Sequence, residues 1–285
     1  MRKAKLIVWA EQGIGDELMF STVLNDAVKD FDIYFECHPR LVNLHKSATY
    51  YSALKGLYPT RKDDAICWPV TDEIRADYKC GIADLCALYR RDLSAFKKAW
   101  DRSGPTYTAP VEELKGFRAQ LQAMAAGRPI VALATRGGVM QTSRQYRTLK
   151  TEDAKRLFEG TNCLFVGIDY DDMHSFSSWA EENYPGRYLW LPSIAQHFDY
   201  EHLAALLAAC DLVVTVCQSA AHLAAYTGCR TRVLTPKRCA WRYAPTQGDL
   251  WYWAPTDDVR LYRQDDSLSW ERPIQQVIDD IRSLA

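Results

Sequence analysis

Between residues 129 and 236 the chain repeats one pattern: a short unbroken apolar run, a turn, then a stretch whose apolar residues return at helical spacing. The runs are "PIVALAT" (129–135), "CLFVGI" (163–168), "DLVVTVC" (211–217) and "TRVLTP" (231–236). Runs this short, without polar alternation, suit strands buried on both faces, which occur where helices cover both sides of a parallel sheet. The covering helices are "TEDAKRLFEG" (151–160, with Thr151 as N-cap), "YEHLAALLAAC" (200–210) and "SAAHLAAYTG" (219–228, stopped by Gly228). The chain opens the same way. "KLIVWA" (5–10) reads as a strand; Leu18, Met19, Val23, Leu24, Ala27, Val28 and Phe31 follow at helical spacing; and "IYFEC" (33–37) is a second strand.

This alternation predicts an α/β protein of two Rossmann-like lobes, each with a parallel sheet, facing each other across a cleft. The length of 285 residues suits two domains. A helix over 110–127, ending at Gly127, closes the first lobe, so the expected division is 1–126 and 127–269. A last helix within 270–285 is expected to pack back toward the N-terminal lobe. The stretch from about 40 to 110 carries no equally clear pattern.

With 48% hydrophobic and 25% charged residues the chain is an ordinary folded protein, and a net charge of −1 offers no basic field for nucleic acid or an anionic membrane. The nine cysteines (37, 67, 80, 86, 163, 210, 217, 229, 239) are odd in number and include no C-x-x-C pair, so neither a disulfide framework nor a zinc site is written here. A reducing, cytoplasmic setting is expected. The apolar run after "MRKAK" is too short for a signal peptide, and no stretch approaches the roughly 20 apolar residues of a membrane span.

Open parallel sheets bind ligands beyond the carboxyl ends of their strands. The unusual segments fall there. "EQGIGDE" (11–17) follows the first strand, but Leu18 stands where a dinucleotide fingerprint needs a third glycine, so NAD is not supported. Gly13 and Gly15 would let a substrate approach the backbone, and Asp16 either caps the helix or faces that substrate; Glu11 and Glu17 read as structural or solvent-facing. "TRGG" offers Arg136 and the amides of Gly137 and Gly138 to phosphate oxygens, or is a tight turn; Arg144 and Arg147 add charge or are solvated. Gln218 and Ser219 open a helix whose N-terminus favours an anion, Ser219 also reading as an N-cap, and His222 one turn later is a ligand contact or a packing residue. "WRYAPTQGDLWYW" (241–253) holds Trp241 and Arg242 where a sugar or base could stack, or where aromatics seal the lobe junction.

"VWAEQGIGDELMFSTVL", "DLVVTVCQSAAHLAAYTGCRTRVLTP", "WRYA" and "WYWAPTDDVRLYRQDDSLSW", in that order, resemble the glycosyltransferase domain of bacterial tetratricopeptide-repeat proteins, itself similar to the lipopolysaccharide heptosyltransferases. The resemblance covers both ends of the chain and little of 40–110. It implies the GT-B fold and a transferase using a nucleotide-sugar donor held by the C-terminal lobe, with an unknown acceptor (glycan, protein or small molecule) on the N-terminal lobe. Asp16 matches the family's general base. Arg136, Gly137, Gly138, Gln218, Ser219 and His222 match the donor side. An inverting reaction without metal or other cofactor is implied, and no D-x-D is read where a metal–diphosphate bridge is expected. The chain departs from the heptosyltransferase-like pattern at Cys217 and Gln218, where Asp-Thr is usual, so heptose specificity does not carry over. No tetratricopeptide repeat is written in these residues. A silent nucleotide-sugar or glycan binding module and a sugar-nucleotide epimerase are the alternatives.

Overall fold

The computed structural model describes residues 2–10, 13–60, 73–138, 144–170, 173–195, 200–244 and 248–284, and these form two compact units, Met1–Thr108 and Ala109–Ala285. In the first, the strands are β1 (Ala4–Trp9), β2 (Phe31–Cys37), β3 (Gly56–Pro59) and β4 (Tyr78–Gly81), and the helices are α1 (Ile14–Phe20), α2 (Leu24–Asp30), α3 (Val42–Lys46), α4 (Cys86–Tyr89) and α5 (Leu93–Ser103). The sheet runs β3-β2-β1-β4 with every pair parallel, Ala4 opposite Phe31 and Leu6 opposite Tyr78. The single helix expected after β1 is two, joined by a 3-10 turn at Ser21–Val23, which keeps Leu18, Met19, Val23, Leu24 and Ala27 in the core.

The second unit contains α6 (Val111–Ala125), β5 (Ile130–Ala134), α7 (Thr151–Gly160), β6 (Leu164–Gly167), α8 (His174–Asn183), β7 (Tyr188–Trp190), α9 (Pro192–Ala195), α10 (Tyr200–Ala208), β8 (Leu212–Val216), α11 (Ser219–Tyr226), β9 (Thr231–Thr235), β10 (Val259–Arg263) and α12 (Glu271–Arg282). Its sheet is ordered β10-β9-β8-β5-β6-β7, all parallel. The chain therefore winds outward from β5 to β7, returns to the middle, and winds outward the other way from β8. Strands β5, β6, β8 and β9 are buried throughout, as their unbroken apolar runs require.

Two expected boundaries move. Helix α6 belongs to the second unit, so the division falls at 108/109 rather than after 126: it packs on α10, and Arg118 pairs with Asp211 at 2.8 Å and donates to the Ala209 carbonyl. Helix α12 packs on α7, β9 and β10 within the second unit. Its stripe of Ile274, Val277, Ile278 and Ile281 is buried there, and Asp280 accepts from Arg232 on β9 and from the Tyr262 hydroxyl on β10 (2.6 Å). Finally, Lys150 rather than Thr151 is the N-cap of α7, with its amide donating to Asp153. The eight cysteines among the described residues are all free, and none of the described helices is long and apolar enough to cross a membrane.

The first core is organised around a polar group that sequence reading placed at the surface or in a structural role. Glu17 is fully buried. Its carboxylate accepts the His38 amide at the end of β2 (2.9 Å) and meets His45 Nε2 of α3 (2.9 Å), whose Nδ1 meets the Tyr50 hydroxyl (2.6 Å). Burying a carboxylate is costly unless it is paired and hydrogen-bonded, and removing one partner leaves the other stranded. Glu17→Ala is accordingly expected to cost about 3 kcal/mol of folding stability, measured by urea unfolding; a loss under about 0.5 kcal/mol would mean that the network is not a structural anchor.

Candidate functional site

Each sheet has one place where chain order reverses between neighbouring strands, and there the loops leaving the two strands diverge and expose a crevice at their carboxyl ends. In the second unit that place is between β5 and β8, paired with Ala134 opposite Thr215. The loop after β5 carries Arg136, Gly137 and Gly138; the loop after β8 carries Cys217, Gln218 and Ser219. The structure brings the two together. A Cβ on Gly137 would lie 3.0 Å from the Cys217 carbonyl oxygen and 3.1 Å from the Arg147 stem, so a side chain at 137 would press the loops apart. Arg147 is not a solvated charge: its guanidinium donates to the Cys217 carbonyl at 2.9 Å and ties the loops. Gly138 has φ +70°, a backbone that side-chain-bearing residues rarely adopt.

Asp169, which sequence reading passed over, fixes this turn. It follows β6, is 1% exposed, and accepts from the Thr135 amide (2.9 Å), the Thr135 hydroxyl (3.0 Å) and the Arg136 amide (2.9 Å). Burial pushes its carboxyl pKa up, while the Thr135 and Arg136 amides pull it back. Asp169-Tyr170-Asp171 does spell D-x-D, against the expectation, but Asp171 lies outside the described residues and Asp169 is turned inward onto main-chain donors. Tyr170 donates to the Gly138 carbonyl, and its own raised pKa, set mainly by burial, is drawn down by Arg144 and then Arg147. Arg136, Arg144 and Arg147 thus belong to one cationic neighbourhood at the end of β5 and β6.

Gln218 is the N-cap of α11 and Ser219 its first residue, correcting the N-cap reading of Ser219. Gln218 is buried with its amide near the Thr215 hydroxyl (3.4 Å), and the Ser219 hydroxyl meets Tyr200 Oη at 3.3 Å. His222 is 2% exposed and packs among Tyr226, Tyr243 and Trp251, with Nε2 at 2.9 Å from the Tyr243 hydroxyl. It packs within this aromatic cluster through one ring nitrogen, while Nδ1 is buried with no hydrogen-bond partner among the described residues. Tyr243 and Trp251 are likewise buried, whereas Trp241 stands out in solvent at 57% exposure with the Arg242 guanidinium 5.7 Å from its ring. At the same end of the sheet, Tyr146, Arg238, Gln264 and Trp270 help line a cavity of about 370 Å³, a volume in the range of small-molecule sites.

In the first unit the reversal lies between β1 and β4, and the loop after β1 leads into α1. Gly13 is the N-cap and Asp16 sits in the first turn, half-buried. A Cβ on Gly13 would be 2.8 Å from Asp16 Oδ2. The missing side chain at 13 therefore makes room for the Asp16 carboxylate itself, rather than for a substrate alone. Glu11 lies outside the described residues. Glu17, Cys37 and His45 are buried, and their ligand atoms all lie within 4.8 Å of one another, a grouping that could hold a cation. The hydrogen bonds among Glu17, His45 and the His38 amide already satisfy that carboxylate.

No family model matches the chain. Protein FlbA of Caulobacter vibrioides (strain ATCC 19089 / CIP 103742 / CB 15) is 24% identical over 304 aligned positions that take in 100% of this chain and 47% of FlbA, so the chain spans about half the length of that curated relative. Among solved structures, the glycosyl transferase family 9 protein from Veillonella parvula DSM 2008 superposes with a TM-score of 0.62 at 11% identity, covering 99% of this chain and 96% of that one. E. coli ADP-heptose lps heptosyltransferase II gives 0.60 at 15% identity, covering 98% of both chains. The E. coli heptosyltransferase WaaC, solved with ADP-2-deoxy-2-fluoro heptose, gives 0.58 at 13%, covering 99% of this chain and 100% of its own. The fold is GT-B. Within this GT-B chain, Asp16 lies on the first unit, and the loops that carry Arg136 and Gln218 come together at the strand-order reversal of the second.

Burial, and after it the charge of Arg242, pushes the His222 pKa down to about 3 from the ordinary 6.5. The unfolded chain takes up a proton below pH 6.5 that the folded one refuses until about pH 3, so stability is full above 6.5 and falls as the pH drops toward 3. The slope contributed is about 1.4 kcal/mol per pH unit. His222→Phe is expected to flatten the decline in Tm between pH 6 and pH 4; parallel Tm–pH curves for variant and wild type would contradict the assignment.

Proposed function

We propose that this protein is a glycosyltransferase that moves a sugar from a nucleotide-sugar donor to an acceptor hydroxyl, with inversion and without a metal. The observation that carries this reading is the meeting of the Arg136–Gly138 turn with the Cys217–Ser219 turn at the strand-order reversal of the second sheet. Two loops there present a guanidinium, main-chain amides and the start of α11, the donor set that suits a diphosphate. As the glycosidic bond breaks, the bonding pair leaves with the nucleoside diphosphate, and Arg136 with these dipoles, fixed beforehand by Asp169 and Arg147, stabilises the growing negative charge. Asp16 takes the proton of the acceptor hydroxyl as its oxygen attacks the anomeric carbon from the opposite face.

E. coli heptosyltransferase II is named for ADP-heptose, and WaaC was solved with ADP-2-deoxy-2-fluoro heptose. For the present chain the donor class is a nucleotide diphosphate sugar, while the neutral Cys217–Gln218 pair leaves the sugar undefined. The acceptor is a glycan, protein or small molecule, and the chain works in the cytoplasm. The same neutral pair, with Asp16 folded over Gly13, favours a second reading in which the site binds nucleotide sugar and transfers nothing.

Asp16→Asn is expected to lower kcat by at least about 100-fold, while Tm and donor affinity stay at wild-type values. Unchanged turnover would remove Asp16 from the mechanism. Donor binding by the wild type with neither transfer nor hydrolysis across a broad acceptor panel would establish the silent binding module, and an altered sugar nucleotide formed without acceptor would identify an epimerase.

A further inference from the structure

Trp241 is the most exposed of the large hydrophobic aromatic side chains of the second unit among the described residues. It opens the 3-10 turn Trp241–Tyr243, which follows the carboxyl end of β9, beside β8 in the sheet. That turn is fastened from several directions. The Ala244 amide donates to the Trp241 carbonyl (2.9 Å), the Trp251 indole N–H to the Arg242 carbonyl (2.8 Å), and Arg263 to the Tyr243 carbonyl (2.5 Å). The Tyr243 hydroxyl reaches His222 on α11, the helix whose N-terminus carries Gln218 and Ser219. Trp253, almost wholly buried, meets the Trp241 ring edge-on at 6.2 Å.

A lone exposed apolar residue needs no explanation on a mobile surface. Here a large indole is held out in water by a backbone anchored to the buried Tyr243–Trp251–His222 cluster. An aromatic ring fixed in this way is a stacking platform: it offers a broad apolar face at little cost in side-chain entropy. We infer that Trp241 is a stacking platform for the glycosyl ring of a nucleotide-sugar bound at the Arg136 and Gln218 loops. The C–H groups on one face of a pyranose are polarised by their oxygens and pack on the electron-rich indole face, leaving the hydroxyls to water or to polar neighbours. The Arg242 guanidinium lies over the same ring, 5.7 Å from its centroid, a cation–π contact that helps to hold the indole in place. This inference rests on the donor-site reading given above.

The test is calorimetric titration of wild type and Trp241→Ala, without metal, with UDP-N-acetylglucosamine, GDP-mannose and ADP-glucose and with the matching free UDP, GDP and ADP. For the base series that the wild type binds, the variant is expected to bind the nucleotide sugar about tenfold more weakly and the free diphosphate equally well, with Trp241→Phe restoring most of the difference. Equal weakening of sugar and diphosphate would overturn the sugar assignment in favour of the nucleobase, and no change in either would overturn the platform altogether. A wild type that binds none of the six compounds would instead bring down the donor-site reading, and the platform with it. Circular dichroism and the Tm of Trp241→Ala, expected at wild-type values for an exposed side chain, separate any of these results from misfolding.

Discussion

The site-bearing loop of each unit is held by one buried carboxylate. In the second unit Asp169 gathers the Thr135 and Arg136 amides and so dictates where the Arg136–Gly138 turn runs; in the first, Glu17 joins the start of α1 to the end of β2 and to α3. A carboxylate withdrawn from water is tolerated only when hydrogen-bond donors converge on it, so each of these groups stabilises one loop geometry and penalises the alternatives. Asp16 and Arg136, the two residues on which chemistry is proposed, are each set beside such a clasp. They inherit its rigidity without being buried themselves.

Parallel sheets supply the rest. Because every strand pair is parallel, all the loops leaving strand carboxyl ends gather at one end of each sheet, and the reversal of chain order opens a crevice between two of them. The second unit exploits this by crossing the crevice with short links: Arg147 to the Cys217 carbonyl, and a glycine at 137 that lets the two turns come close. The resulting donor groups are positioned before any ligand arrives, which is what electrostatic stabilisation of a departing diphosphate requires.

Much of this was legible in the sequence. The unbroken apolar runs identified six of the strands, because strands covered on both faces have no reason to alternate, and the turn residues at 136–138 and 218–219 fell where parallel topology places ligands. The unit to which helix α6 belongs is not written locally, because helical spacing reveals an amphipathic face but not its partner; the deciding contact, Arg118 with Asp211, is 93 positions away in the chain. The ion pair of α12 with Arg232 is likewise written nowhere locally. Glu17 and Asp169 look like ordinary surface acids beside a helix and a turn, and only the folded main chain shows what they accept. His222 had two readings from its face of the helix, and its aromatic neighbours, Tyr243 and Trp251, come from a distant loop.

The proposed function places a nucleoside diphosphate where the β5 and β8 loops meet. Hydrogen exchange followed by mass spectrometry, with saturating UDP, GDP or ADP in the presence of EDTA, tests that placement without any assumption about sugar or acceptor. One of the three is expected to slow exchange in peptides covering 133–138 and 215–222, and to leave α12 and the β1–β2 region unchanged. Protection confined to other segments, or none with any of the three at millimolar concentration, would contradict it.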